Sequence, residues 1–173
     1  MNISFIVPGM GFGGAERVIS ILSKGLVEKG YTVNIGIFNN VPQKVEYMLD
    51  PRVRVEHIES YRLRSLSGFK KNLKNIEAFL RYTNTDIVLC FANTVCSLVS
   101  IVCKKLNIPL IFSERNDPRR YLTSFSDKLL QKILLRNVKH VVFQTEGAKK
   151  LYPKNIRENS VVILNPLDVS FLH

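Results

Sequence analysis

The chain has 173 residues, 46% of them hydrophobic and 23% charged, enough for one well-cored domain and too few for two of full size. Those proportions exclude a disordered chain. The formal charge of +11 favours polyanionic partners, whether nucleic acid, an anionic bilayer or phosphorylated small molecules, and does not choose among them.

In chain order, strand-like and helix-like segments alternate. Ile3 to Val7 is a short apolar run ending in Pro8 and a glycine cluster; that early break, with no basic residues ahead of it, argues against a signal peptide. Ala15, Val18, Ile19, Leu22 and Leu26 recur at helical spacing, and Gly30 stands where a helix ends. Thr32 to Phe38 reads as a strand closed by Asn39 and Asn40, and Val53 to Ile58 as another. A basic stretch leads into a helix through Ile76, Phe79 and Leu80.

Ile87 to Cys103 carries no charge, but its length is at the short limit for a membrane span. Its Asn93, Thr94, Ser97 and Ser100 fit a strand from Ile87 to Phe91, a polar turn and a buried helix from Val95 to Leu106. Pro109 to Phe112 is the fifth strand. A helix from about Ser126 to Arg136 places Leu129, Leu130, Ile133 and Leu134 on one side. Val141 to Phe143 is a strand, Glu146 to Leu151 a short helix, and Val161 to Leu164 the last strand. This alternation predicts an α/β domain with a doubly wound, mainly parallel, Rossmann-like sheet, and the continuous apolar runs suit strands buried on both faces.

Cys90, Cys96 and Cys103 form no CxxC pair and have apolar flanks, so they read as reduced, buried thiols. His57, His140 and His173 are scattered, and no metal site is expected.

In such sheets ligands bind beyond the carboxyl ends of the strands. The first such loop is Pro8-Gly9-Met10-Gly11-Phe12-Gly13-Gly14-Ala15-Glu16-Arg17. Its glycines let backbone approach a ligand, and free N–H groups of the next helix suit a phosphate. Gly9-x-Gly11-x-x-Gly14 fits the dinucleotide fingerprint, but the second strand ends at Asn39 and Asn40 without the acid that would hold a ribose. An NAD- or FAD-dependent oxidoreductase is therefore ranked low, and a tight turn without a ligand is the plain alternative.

Gly13-Gly14-Ala15-Glu16-Arg17-Val18 resembles the first-loop signature of glycosyltransferase family 4, whose fold is GT-B. Three further places agree in order. Ser113-Glu114-Arg115-Asn116-Asp117-Pro118 is similar to the loop that many bacterial members carry after the fifth strand. Val142-Phe143-Gln144-Thr145-Glu146 is similar to the segment with a serine or threonine after the sixth. Leu164-Asn165-Pro166-Leu167-Asp168 resembles the turn that closes the first domain.

The resemblance implies two Rossmann-like domains facing each other across a cleft. Residues 1–168 would be the acceptor-side domain and 169–173 the start of a linker, with the donor-binding domain, its basic pair and its Glu-x7-Glu motif absent. By position, Gly13, Gly14, Glu16 and Arg17 would form the loop against the donor phosphate or sugar. Glu114 and Arg115 would be catalytic, standing where many relatives place a histidine; a carboxylate beside an arginine can orient an acceptor hydroxyl or bind its phosphate, and a loop-local ion pair is the plain alternative. Asn116, Asp117, Thr145 and Glu146 would lie on the acceptor side.

Arg62, Arg64, Lys70, Lys71 and Lys74 are interleaved with Leu63, Leu66, Phe69 and Leu73, a mixture that suits adsorption to an anionic bilayer. A solvated helix face is the alternative. No nucleic-acid-binding motif accompanies the charge, so no nucleic-acid partner is expected.

The resemblance thus implies a retaining, metal-independent transfer from a nucleotide diphospho-sugar, as co-substrate and without a cofactor, to a glycan or lipid-linked acceptor in bacterial polysaccharide biosynthesis. The expected place is the cytoplasm, at the inner face of the plasma membrane. A binding module that holds a phosphorylated or lipid-linked ligand without chemistry is the alternative from another class.

Overall fold

The computed structural model describes residues 1–41, 44–63, 65–91, 93–115 and 124–165. In chain order its elements are β1 (Asn2–Val7), α1 (Gly14–Glu28), β2 (Thr32–Asn39), β3 (Arg54–Glu59), α2 (Leu66–Tyr82), β4 (Ile87–Cys90), α3 (Asn93–Leu106), β5 (Leu110–Glu114), α4 (Phe125–Asn137), β6 (His140–Phe143), α5 (Glu146–Lys150), α6 (Lys154–Glu158) and β7 (Ser160–Val162). The strands form one sheet in the order β3-β2-β1-β4-β5-β6-β7, and every pairing is parallel. The doubly wound α/β expectation holds, with all seven strands where the sequence places them.

Alternation along the strands builds two cores, one on each face. On one face Val88, Cys90, Leu110, Phe112, Val141 and Phe143 pack against side chains of α2, α3, α4 and α6, including Ile76, Phe79, Leu98, Leu134 and Ile156. On the other, Ile3, Phe5, Val7, Val33, Ile35 and Ile37 meet α1 through Val18, Ile19 and Val27, and the segment through Val45, Leu49 and Val53 completes the cover. The helix α1 stops where Gly30 takes a φ of 83°, a left-handed conformation that favours glycine.

Three details differ from the sequence reading. First, α2 begins at Leu66 and takes in most of the basic stretch; Ser65 caps it by accepting from the Gly68 N–H at 2.9 Å. Secondly, α6 was not anticipated. It is one short turn of five residues that buries only Ile156, too little periodicity to read. Thirdly, the expectation of three reduced thiols is corrected. All three cysteines are buried, but Cys90 and Cys96 are joined in a disulfide with Cα atoms 5.6 Å apart, and Cys103 is free. The chain reversal between β4 and α3 brings together two residues whose spacing of six suggested no pair.

The segment Ile87 to Cys103 is β4 followed by most of α3, and no helix among the described residues is long and apolar enough to cross a membrane. In α4, Leu134 is fully buried while Leu129 is 48% exposed, so the apolar side expected there is only partly covered. The turn expected at Asn165 to Asp168 lies, from Pro166 onward, outside the described residues.

Candidate active site

Beyond the carboxyl ends of β1, β4, β5 and β6 lies a cavity of about 450 Å³, where the topology of a parallel sheet puts ligand sites. Its near wall is the first turn of α1, with Gly14, Ala15 and Glu16; Phe91, Arg115, Gln144 and Asn165 complete the ring.

The first turn of α1 is open to a ligand because the cap is a glycine. Gly13 is extended and offers no side-chain hydrogen bond, so the leading N–H groups have no capping side chain to accept from them. Glu16 folds back over Gly13, close enough that a side chain there would collide with its carboxylate. Gly14 is different: a Cβ added to it meets nothing within 4 Å, because it faces the cavity. The loop is held from outside by the segment after β2. The Tyr47 hydroxyl donates to the Gly13 carbonyl at 3.1 Å, and the Glu46 N–H donates to the Met10 carbonyl at 2.9 Å. Phe12 stacks edge-on against Tyr47, with ring centroids 5.8 Å apart.

At the end of β5 the alternation of the strand separates Glu114 from Arg115. Glu114 follows Leu110 and Phe112 onto the helix-rich face, where it is 2% exposed and accepts a hydrogen bond from the Tyr152 hydroxyl. Arg115 turns to the α1 side and lines the cavity. Its guanidinium lies 5.0 Å from the centroid of Phe91, a cation–π contact, and Nη1 donates to Asn165 Oδ1. Burial lowers the Arg115 pKa from its ordinary value by desolvation. A carboxylate and an arginine acting side by side on one acceptor group is thus not the arrangement found.

The match to known proteins agrees with this geometry. The model of Glycosyltransferase Family 4 matches residues 12–171. The chain belongs to glycosyltransferase family 4. A Campylobacter jejuni relative, named as an alpha-1,4-N-acetyl-D-galactosaminyltransferase acting on a GalNAc-containing glycan on diNAcBac-PP-undecaprenol, is 32% identical over 123 residues, 68% of this chain and 33% of the relative. Among solved structures, Anabaena HepE in complex with UDP superposes with a TM-score of 0.76 at 14% identity, over 98% of this chain and 45% of HepE. The UDP-GlcNAc 2-epimerase of Methanocaldococcus jannaschii superposes at 0.68 and 18% identity, over 95% of this chain and 46% of the epimerase. The chain therefore spans about a third of the curated relative and under half of these structures. That an epimerase shares the fold shows that the sheet alone does not select the chemistry.

As a member of family 4, the chain brings together some of the expected residues and not others. Gly14, Glu16 and Arg115 line one cavity, with Gly13 at its edge. Arg17, the fourth residue of α1, is half-buried. After β6 it is Gln144 that lines the cavity. Thr145 caps α5 instead, its Oγ1 accepting from the Ala148 N–H at 3.1 Å, and Glu146 is exposed in the first turn of that helix. Asn116 and Asp117 lie outside the described residues.

The basic residues of α2 stand apart from this cavity. Lys70, Lys71 and Lys74 are exposed on the outer face of α2, Arg62 is exposed just before it, and Arg64 lies outside the described residues. Lys71 Nζ sits 4.8 Å from the centroid of Tyr61. Phe91, Gln144 and Asn165 were not singled out as site residues; Phe91 and Gln144 are each the first residue past a strand and Asn165 the third, and only the sheet order brings them together.

Proposed function

We propose that this chain is the acceptor-side domain of a retaining glycosyltransferase, which moves a sugar from a nucleotide diphospho-sugar to a lipid-linked glycan. What carries the reading is a family 4 first loop, Gly13 to Arg17, whose uncapped helix start opens onto the cavity at the sheet's carboxyl edge. The relative named for transfer to a glycan on PP-undecaprenol supports the acceptor class. In this reading the backbone N–H groups at Gly14 and Ala15 stabilise charge on the leaving phosphate as the second domain closes over them, and no metal is needed. The exposed cations of α2 hold the domain at an anionic membrane, at the cytoplasmic face.

The division of labour has a direct test. The purified 173-residue chain, given a panel of UDP-sugars and polyprenyl-diphosphate-linked glycans, is expected to transfer nothing. A chimaera joining it through Asn165 to a family 4 donor-binding half is expected to turn over. Transfer by the chain alone would overturn the assignment of the donor site to a second domain.

A further inference from the structure

The Cys90–Cys96 disulfide stands directly behind one wall of the cavity. Cys90 is the last residue of β4, the next residue is the cavity-lining Phe91, and Cys96 is the fourth residue of α3. The bond therefore ties the strand end that carries Phe91 to the first turn of α3. The Phe91 ring faces Phe5, with centroids 6.1 Å apart, and carries the Arg115 guanidinium at 5.0 Å. Both cysteines are wholly buried. Two thiols need van der Waals separation where a disulfide needs a bond, so in a close-packed interior reduction displaces one of the two residues.

The strand side accommodates either state. β4 is held between β1 and β5, and Cys90 Sγ lies 3.2 Å from the Ile6 carbonyl oxygen, to which a thiol there can donate. The adjustment thus falls on the first turn of α3, where Thr94 is exposed. Cys103, further along α3, is buried and free, and burial pushes its thiol up to about 12. It stays protonated and does not attack the pair. At the cytoplasmic face proposed above thiols are kept reduced, and a disulfide that forms there responds to redox state. Preferring a regulatory bond to a structural one rests on that placement.

We infer that Cys90 and Cys96 form a reversible redox switch, whose bond holds Phe91 against Arg115 and whose reduction loosens that wall of the cavity. The reductant is a dithiol. One of its thiolates attacks Cys96 Sγ, Cys90 leaves as a thiolate and takes up a proton, and the second thiol of the reductant then displaces Cys96. Two electrons and two protons pass to the pair, and the reductant ends as a disulfide. Oxidised glutathione runs the exchange backwards and leaves as two reduced thiols.

The intact 173-residue chain is equilibrated with dithiothreitol or with oxidised glutathione, labelled with N-ethylmaleimide in denaturant and weighed. One label is expected on the oxidised chain, at Cys103, and three on the reduced chain. Reduction without denaturant should run on the order of tenfold faster than global unfolding, since only the first turn of α3 has to open. It should also shift the backbone amide resonances of Phe91 and Arg115. Cys96→Ala should show the reduced spectrum in either buffer, and Cys103→Ala should switch as the unaltered chain does. The comparison of the unaltered chain in the two buffers needs no substitution, so it stands even where a variant fails to fold.

Three labels after oxidised glutathione would overturn the switch. So would reduction no faster than global unfolding, which describes a structural bond, or reduction that leaves Phe91 and Arg115 unmoved. An active chimaera containing a chain that does not switch rejects the switch and leaves the proposed function standing. A switching chain in an inactive chimaera does the opposite.

Discussion

Gly13 and Gly14 are neighbours with different reasons for being glycine. At Gly13 the Glu16 carboxylate occupies the space of a side chain, whereas at Gly14 the space is empty because it belongs to the cavity. The two can be told apart by experiment. Gly14→Ala strains nothing and places a better helix former in the first turn of α1, so the melting temperature should stay the same or rise slightly. The same methyl enters the approach to the Gly14 and Ala15 N–H groups, so affinity for pyrophosphate, standing in for the leaving phosphate, should drop several-fold. Stability and binding moving together, both down, would show that Gly14 serves the turn and not the ligand. At this scale the sequence was legible where a residue acts within its own loop, as the glycines do. It was not legible where the site is made across strands. Glu114 and Arg115 adjoin in sequence, yet the pleat sends one to Tyr152 and the other to Phe91, and Phe91 and Asn165 gain meaning only from the sheet order.

Among the elements, α2 shows both what periodicity can reveal and why it fails. Its second half is plain from Ile76, Phe79 and Leu80. Its first half is obscured because Gly68 and Asn72 hold the buried positions where apolar residues would mark the face, and the remaining signal was Ser65 in its capping position. Asn72, fully buried, anchors the preceding strand end: its Oδ1 accepts from the Tyr61 N–H at 2.8 Å and its Nδ2 donates to the Tyr61 carbonyl at 3.0 Å. The outer face then carries Lys70, Lys71 and Lys74, with Leu66 82% exposed at the tip. If this face meets an anionic bilayer, each cation adds about 1 kcal/mol. Changing all three lysines to glutamine should then weaken co-sedimentation with phosphatidylserine-containing vesicles by on the order of a hundredfold. Binding to neutral vesicles should be weak for both proteins. A triple variant that still sediments with anionic vesicles would leave α2 as a solvated face.

Over the whole molecule, a doubly wound, mainly parallel sheet was implied by alternating strands and helices, but its strand order and the unequal covering of its two faces were not. One face of the sheet receives α2, α3, α4 and α6, whereas α1 and the segment after β2 cover the other mainly over β1 and β2. Toward the β7 edge the α1 side thins out: Val142 is only half-buried, and Val161 and Ile163 are 48% and 53% exposed. Hydropathy cannot report this, because both faces of β6 read as valine. Two neighbours of the same type make the test. Val141 is 1% exposed and sits in the core with Phe112 and Leu134, while Val142 points to the thin side. Truncation to alanine removes the same atoms and the same strand preference at both positions, so the difference isolates burial. Val141→Ala should cost about 2 kcal/mol, the transfer of two methyl-sized groups plus an unfilled space, and Val142→Ala under about 1 kcal/mol. Urea unfolding measures both, with midpoints compared at an unchanged slope. Equal losses would mean that the α1 side over β6 is as closely packed as the other, and that something covers it in solution.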